Sequence, residues 1–150
     1  MRLSIGSDHG AYALKQELIP YLQEKGYEIE DKGCHSLQSC DYPEFAKAVA
    51  EDVAAGRAEK GIVLCTTGIG VSICANKVKG VRCALCADSM TARMTREHND
   101  TNALAIGAGV VGENLAKEIL FTWLDTPFSG ASRHQRRIDK ISAYESQSGN

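Results

Sequence analysis

The sequence predicts an α/β fold in which helices cover both faces of a five-stranded parallel sheet. Five short apolar stretches alternate with longer segments whose apolar residues recur at helical spacing. Parallel sheets with right-handed crossovers show this alternation. The 150 residues are 43% apolar and 24% charged, which is the composition of an ordinary globular domain. We therefore expect residues 1–150 to form a single domain with three layers, an αβα sandwich.

The first half of the chain is predicted to supply three strands and two helices. Leu18 and Leu22 belong to a helical apolar pattern that Gly26 ends as a C-cap. Pro43 suits the first turn of a second helix, because the missing N–H of proline costs nothing there. The predicted strands are 2–7, 27–31 and 61–65, and the predicted helices are 11–25 and 43–56.

The second half is predicted to supply two further strands and four helices. Asp88 can cap the helix that follows it. The residues from His98 to Asp100 are interpreted as a turn, and 146–150 as a frayed tail. The predicted strands are 81–87 and 102–106, and the predicted helices are 71–79, 90–97, 113–124 and one that begins near 133.

The reactive side chains are expected to lie at the carboxyl ends of the strands, where parallel α/β sheets carry their sites. Asp8-His9 follows the first strand, Cys65 ends the third and Asp88 follows the fourth. The loop through Tyr42 and the pair His98-Asn99 are assigned to the same edge. This assignment predicts one continuous site along one edge of the sheet.

Charge and hydropathy argue against several classes of protein. The net charge of −2 argues against a general binder of nucleic acids or membrane surfaces. No apolar run approaches the roughly 20 residues that span a bilayer, and Met1 leads into a strand with no signal peptide before it.

Cys83 and Cys86 are three apart on a predicted strand, so they should face opposite ways. We expect free, mostly buried thiols in a reducing cytoplasm.

The stretch Cys65-Thr66-Thr67-Gly68-Ile69-Gly70 joins a buried strand to a predicted helix. Backbone N–H groups without helical partners point outward at such a turn, and the helix dipole adds positive potential. A cysteine beside these donors has its thiolate favoured, so Cys65 can act as a base or a nucleophile. The alternative is a core cysteine that only ends a strand. The Thr-Thr-Gly-Ile-Gly sequence after it favours the functional interpretation.

The histidines give weaker signals. Asp8-His9-Gly10 is either a helix cap with a surface histidine or part of a site. His98 either interacts with the last carbonyls of a helix or belongs to a site, and His35 is assigned to a solvated loop. No histidine spacing matches a metal-binding motif, so a metal is not expected.

Two further stretches contain repeated glycines or arginines. Gly107 to Gly112 matches G-x-G-x-x-G, but no strand follows to complete a βαβ unit, so it is a weak dinucleotide signal. Arg133 and Arg137 lie four apart on one face of the last helix and could clamp one dianion. The alternative is a solvated basic face. A phosphate on the substrate would explain this positive patch in a slightly acidic protein.

Several separate motifs occur together in an order that resembles one family. They are Ser7-Asp8-His9-Gly10, Asp41-Tyr42-Pro43, the segment 65–77, the segment 96–102 and Arg133-His134. Over nearly its whole length the chain resembles the type B ribose-5-phosphate isomerases, whose wider family includes allose- and galactose-phosphate isomerases. The resemblance implies a flavodoxin-like or Rossmann-like sandwich that forms a homodimer, or a tetramer of such dimers. The active site would lie between subunits, with the C-terminal helix reaching the partner.

The resemblance also implies a mechanism in which Cys65 moves a proton between C1 and C2 of a sugar phosphate. Such an isomerisation needs a base near a C–H group and stabilisation of the enediolate oxygen. A thiolate and fixed N–H donors supply both without a cofactor. The enediolate would be held by Thr67 and the amides of Gly68, Ile69 and Gly70, with Thr66 in the same substrate-binding loop.

The remaining implied roles concern ring opening and the two ends of the substrate. His98, with Asp8 nearby, would assist ring opening. The phosphate would be bound by His9, Arg133 and Arg137, and the sugar by Tyr42 and Asn99.

The chain departs from the family pattern at three places. Thr66 stands where the family usually has Gly, Gly109 stands where typical members have an Arg that contacts phosphate, and Ala131-Ser132 replaces Gly-Gly. Ribose 5-phosphate remains the first prediction, with a hexose 6-phosphate of the allose or galactose type as the alternative. Two other functions stay open, a covalent enzyme that uses Cys65 as a nucleophile and a non-catalytic sensor of phosphorylated ligands.

Overall fold

Five parallel strands form one sheet in the order β2-β1-β3-β5-β4. A computed structural model describes residues 1–147 of the chain. The strands are β1 (Arg2–Ser7), β2 (Glu28–Asp31), β3 (Lys60–Cys65), β4 (Cys83–Leu85) and β5 (Ala103–Gly107). The helices are α1 (Tyr12–Glu24), α2 (Tyr42–Ala54), α3 (Ile69–Ala75), α4 (Ser89–Asn99), α5 (Glu113–Asp125) and α6 (Ser132–Gln147). The predicted five-stranded parallel sheet is confirmed, and the architecture is Rossmann-like.

The alternation of side chains along the central strands produces a core on each face of the sheet. Leu64 of β3 packs in a cluster with residues of α1, α4 and α5, among them the fully buried Trp123. Val63 packs on the opposite face with Val49 of α2 and Val71 of α3. Both faces of β3 are therefore buried, which explains its uninterrupted apolar sequence.

The segment after α3 differs from its predicted form. The helix ends at Ala75 rather than near residue 79, because the Asn76 side chain donates to Ser72 and bridges to the backbone of Cys83. A turn through Gly80, with φ of +85°, then leads into β4. The fourth strand is three residues long instead of seven.

Most other boundaries lie within a few residues of their predicted positions. A short 3-10 turn, His9–Ala11, precedes α1, and Gly26 takes the expected left-handed conformation after that helix. The prediction of a turn at residues 98–100 is wrong for its first two residues, since α4 continues through Asn99. Residues 146 and 147 of the predicted tail belong to α6, and 148–150 lie outside the described residues.

The cysteines are all free in this structure. Cys86 packs in the cluster with α1 and α5, whereas Cys83 packs against the clusters on the other face. The prediction that this pair faces opposite ways is therefore confirmed. No helix within residues 1–147 is both long and apolar enough to cross a membrane.

Lys60, the first residue of β3, is a buried cation whose ionisation should affect stability. Its side chain is 9% exposed, and its Nζ lies 3.2 Å from the Leu124 carbonyl and 4.8 Å from the centre of the Trp123 ring. Burial, reinforced by the positive charge of Arg96, lowers the pKa of Lys60 to about 8 from its ordinary value of 10.5. Between these two values the unfolded chain holds a proton that the folded chain has lost. Lys60 therefore makes folding more favourable as pH rises from 8 to 10.5.

We expect the Lys60→Met variant to lose this pH dependence. Its melting temperature relative to wild type should fall by roughly 2–5 °C between pH 7.5 and pH 9.5. Thermal denaturation at both pH values measures the difference. Lys140→Met, which removes an exposed lysine of α6, is the matched control and should show no such change. Parallel behaviour of Lys60→Met and wild type across this range would contradict the prediction.

Candidate active site

Cys65 ends β3 and is 5% exposed. The backbone N–H of Gly68 donates to its Sγ at 3.1 Å, so the loop after the strand folds back over the thiol. Gly68 has φ of +76°, and a Cβ there would also lie 2.9 Å from the Gly107 nitrogen. Glycine is therefore required at position 68 for the loop to close over Cys65.

The same loop carries further backbone donors. The Ile69 N–H donates to the Thr67 hydroxyl at 3.3 Å. Within residues 1–147, the N–H groups of Thr67 and Gly70 donate to no protein acceptor. Two donors in the loop that covers Cys65 are therefore not occupied by acceptors in the described part of the chain.

The segment after β5 holds this loop from the other side. Gly109 donates its N–H to the Thr66 carbonyl at 2.8 Å, and Ala108 donates to the Cys65 carbonyl at 2.9 Å. A Cβ at Gly107 would lie 2.5 Å from the Thr67 carbonyl oxygen. The first glycine of the G-x-G-x-x-G match thus has a clear physical role, which is to let the Cys65 loop approach β5.

Asp8 and His9 lie beside Cys65 at the carboxyl end of β1, as predicted. The Asp8 N–H donates to the Leu64 carbonyl at 3.2 Å, and its carboxylate accepts from the Ala11 N–H at 3.2 Å. His9 Nδ1 accepts the Cys40 backbone N–H at 3.2 Å. The neutral imidazole therefore carries its proton on Nε2, where it can donate to a ligand.

Tyr42 begins α2 and packs against the first turn of α3. A Cβ on Gly70 would lie 2.4 Å from Tyr42 Cζ and 2.7 Å from its hydroxyl oxygen. Tyr42 is 39% exposed. The predicted positions of Tyr42 and Gly70 in one site with Cys65 are consistent with this close contact.

His98 and Asn99 lie at the amino ends of the strands, so their predicted place at the carboxyl ends is wrong. They end α4, and β5 begins four residues later at Ala103. Arg82, which precedes β4, donates to the Asn99 carbonyl at 2.9 Å. The six-residue length of β3, roughly 20 Å, therefore separates this edge from Cys65.

The basic residues of α6 lie near His98 rather than near Cys65. The His134 ring centre is 4.3 Å from that of His98, and Arg133 and Arg137 are exposed on either side of His134 along the helix. His134 is buried and bonded to the Ser129 hydroxyl at 2.8 Å. Burial, followed by the charge of Arg133, lowers the pKa of His134 below its usual range.

The structure thus divides the predicted site residues into two groups. The first, at the carboxyl edge, contains Asp8, His9, Tyr42, Cys65, Thr66, Thr67, Gly68, Ile69 and Gly70. The second, at the amino edge, contains His98, Asn99, Arg133 and Arg137. No cluster of three or more His, Cys, Asp or Glu side chains in residues 1–147 is arranged to hold a metal ion.

Two participants had no assigned role in the sequence analysis. His134 stacks on His98, and its position between Arg133 and Arg137 on one helix was the available signal. Cys40 orients His9 through its backbone, and a backbone contact across 31 positions leaves no side-chain pattern to detect.

Comparison with known proteins places this geometry in one class, the sugar isomerases. The family model described as Ribose/Galactose Isomerase matches residues 3–141. The Bacillus subtilis protein YwlF is 51% identical over 146 residues, covering 97% of both chains. Ribose-5-phosphate isomerase B of Escherichia coli is 44% identical over 144 residues, covering 96% of both. The structure of Clostridium thermocellum ribose-5-phosphate isomerase B aligns with a TM-score of 0.97 at 50% identity, covering 99% of this chain and 100% of that one.

The chain therefore belongs to the ribose/galactose isomerase family. It is an aldose–ketose isomerase of sugar phosphates.

Proposed function

We propose that the protein interconverts ribose 5-phosphate and ribulose 5-phosphate through a cis-enediolate, with Cys65 as the base. The observation that carries this proposal is the Gly68 N–H at 3.1 Å from Cys65 Sγ, in a loop that presents further unbonded amides. A base and donors for an oxyanion thus occupy one small space. The aldose–ketose reaction needs this combination.

The proton balance of the reaction assigns a task to each group. The Cys65 thiolate removes the proton from C2 of the open-chain aldose. The hydroxyl proton on O2 passes to the adjacent O1 of the cis-enediolate, and the Cys65 thiol then returns its proton to C1. The negative charge that develops on the enediolate oxygens is stabilised by Thr67 and the amides of Gly68, Ile69 and Gly70. The Gly68 and Ile69 amides donate to Cys65 Sγ and to the Thr67 hydroxyl without substrate, so they change partner when the enediolate forms. Thr66, Tyr42 and Asn99 contact the sugar. His98, assisted by Asp8, moves the proton of the anomeric hydroxyl to the ring oxygen, which opens the furanose ring.

The division of the site between two sheet edges supports a homodimer, or a tetramer of such dimers. His98 cannot reach a substrate on Cys65 of its own chain, because the length of the sheet separates them. In the proposed dimer, the amino edge of a second copy covers the carboxyl edge of the first. Each active site then combines Cys65 of one copy with His98, Asn99, Arg133 and Arg137 of the other.

The proposed phosphate contacts are His9 of one copy and the two arginines of the other. We expect Arg137→Ala to raise KM for ribose 5-phosphate by about tenfold or more and to change kcat little, because the lost contact acts on the non-reacting end. Steady-state kinetics measure both constants. Arg136→Ala, which removes the neighbouring exposed arginine of α6, should leave KM near the wild-type value. An unchanged KM in Arg137→Ala would remove Arg137 from the site.

Isomerisation assays in deuterated water test the proposed function. Ribose 5-phosphate, allose 6-phosphate and galactose 6-phosphate would be compared, with deuterium at the carbon next to the carbonyl as the readout. Turnover with deuterium incorporation, fastest for ribose 5-phosphate, supports the proposal. A preference for a hexose phosphate would assign the alternative substrate. Binding without exchange would favour a sensor, and a trapped thioester would favour covalent catalysis by Cys65.

The six free thiols support a reducing compartment, and we place the enzyme in the cytoplasm.

A further inference from the structure

Thr66 is wedged between two glycines at the opening of the candidate site. A Cβ built on Gly10 would lie 2.3 Å from the Thr66 hydroxyl oxygen, and one built on Gly109 would lie 3.0 Å from its methyl carbon. Both distances are shorter than ordinary van der Waals contact, so the Thr66 side chain occupies the space that side chains at positions 10 and 109 would need. It fills the gap between the segments that follow β1 and β5.

The backbone holds this wedge in place. The Thr66 carbonyl accepts the Gly109 N–H at 2.8 Å, and the carbonyl of the adjacent Cys65 accepts the Ala108 N–H at 2.9 Å. These two bonds fix the chain on either side of the Thr66 Cα. The Thr66 Cα therefore has a fixed position relative to the segment that follows β5.

The Thr66 hydroxyl is available to a ligand. The residue is exposed, and within residues 1–147 its hydroxyl has no hydrogen-bond partner. The Asp8 carboxylate borders the same small space, at 3.3 Å from the point where a Gly10 Cβ would stand. A polar, hydroxylated ligand fits this pair of oxygen atoms.

A cavity extends between the segments that follow β1 and β5. Its volume is about 310 Å³, and its lining includes Gly10, Ala108, Gly112 and Glu17. Gly10 lines this cavity and also lies against the Thr66 side chain, so Thr66 borders the Gly10 side of the cavity. Removing the side chain would extend the site toward the cavity.

We infer that Thr66 sets the length of the sugar phosphate that the enzyme accepts, by closing the site between Gly10 and Gly109. This inference rests on the proposed isomerase function. Thr66 limits the chain to five carbons through its bulk, while its hydroxyl contributes equally to substrates of either length. Removing the volume of one carbon atom from such a pocket changes the ratio of kcat/KM for two substrates by about 10-fold or more.

The test compares kcat/KM for allose 6-phosphate and ribose 5-phosphate in four enzymes. Thr66→Ala and Thr66→Gly should raise the hexose-to-pentose ratio about tenfold. Thr66→Val keeps the shape but not the hydroxyl, so it should lower both values and keep their ratio within about twofold of wild type. Circular dichroism would check folding. If the glycine variant does not fold, Thr66→Ser, which removes only the methyl group, takes its place and should move the ratio in the same direction.

An unchanged ratio in the folded Ala and Gly variants would overturn the inference. An equal rise of the hexose-to-pentose ratio in Thr66→Val would also overturn it. The hydroxyl rather than the volume of the side chain would then determine which sugar is preferred. The absence of turnover in wild type would instead reject the proposed function. In that case the ratio of Kd values for the two sugars, measured by calorimetry with and without Thr66→Ala in a Cys65→Ala background, supports or overturns the wedge by itself.

Discussion

Replacing Cys65 with alanine is expected to lower kcat for ribose 5-phosphate isomerisation by about 10³-fold or more, because the variant has no base at the end of β3. The fold should survive, since the change removes one sulfur atom from a strand whose neighbours stay packed. Deuterium exchange from solvent into the substrate should disappear together with turnover. Calorimetry should show sugar phosphate binding close to that of wild type, because the thiol acts on a C–H bond rather than on the phosphate.

Cys74→Ala is the matched control for this experiment. Cys74 lies against the same apolar cluster as Cys65, and its thiol donates to the Pro43 carbonyl outside the loop. Its removal should leave kcat near the wild-type value. Near-normal turnover in Cys65→Ala would reject Cys65 as the base, and the proton-transfer mechanism with it.

Mixing two inactive variants is expected to restore activity if the site is shared. Cys65→Ala and His98→Asn each damage every site of their own homodimer. In a mixed dimer, one site receives both altered residues and the other receives neither. Random exchange of subunits should therefore recover about a quarter of wild-type activity.

The recovery should appear only after the subunits have exchanged. The two variants would be unfolded together and refolded, or co-expressed with different tags, and then assayed against each variant alone. A mixture of Cys65→Ala and Arg137→Ala should likewise contain sites with the wild-type KM once the subunits have exchanged. A mixture of the two inactive variants that is no more active than its components would show that Cys65 and His98 serve sites within one chain. Full activity of His98→Asn by itself would show that His98 has no role.

The sheet and the Cys65 loop could be predicted because local patterns determine them. The apolar run of β3 is buried on both faces, and Gly68 is needed where φ is positive. The position of Asp8-His9 followed from the rule that strand ends share one edge.

His98 is predicted at the carboxyl ends of the strands, although the predicted elements around it place it at their amino ends. Residues 98–100 are predicted as a turn between the helix 90–97 and the strand 102–106, and in the structure the first two of them complete α4. A helix that follows one parallel strand runs back to the amino end of the next strand, so the end of α4 lies near the start of β5. The early end of α3 could not be foreseen, because it depends on the Asn76 side chain bridging to the backbone of Cys83 in β4.

Helix α6 buries only two of its 16 residues in the described chain, His134 and Ile138. In a single copy, few buried contacts therefore hold the helix that carries Arg133 and Arg137. Ile141 of this helix is 44% exposed. In the proposed dimer, one sugar phosphate contacts both copies at once. Substrate binding and subunit association are then thermodynamically linked, so saturating substrate strengthens the dimer and dilution weakens apparent substrate affinity.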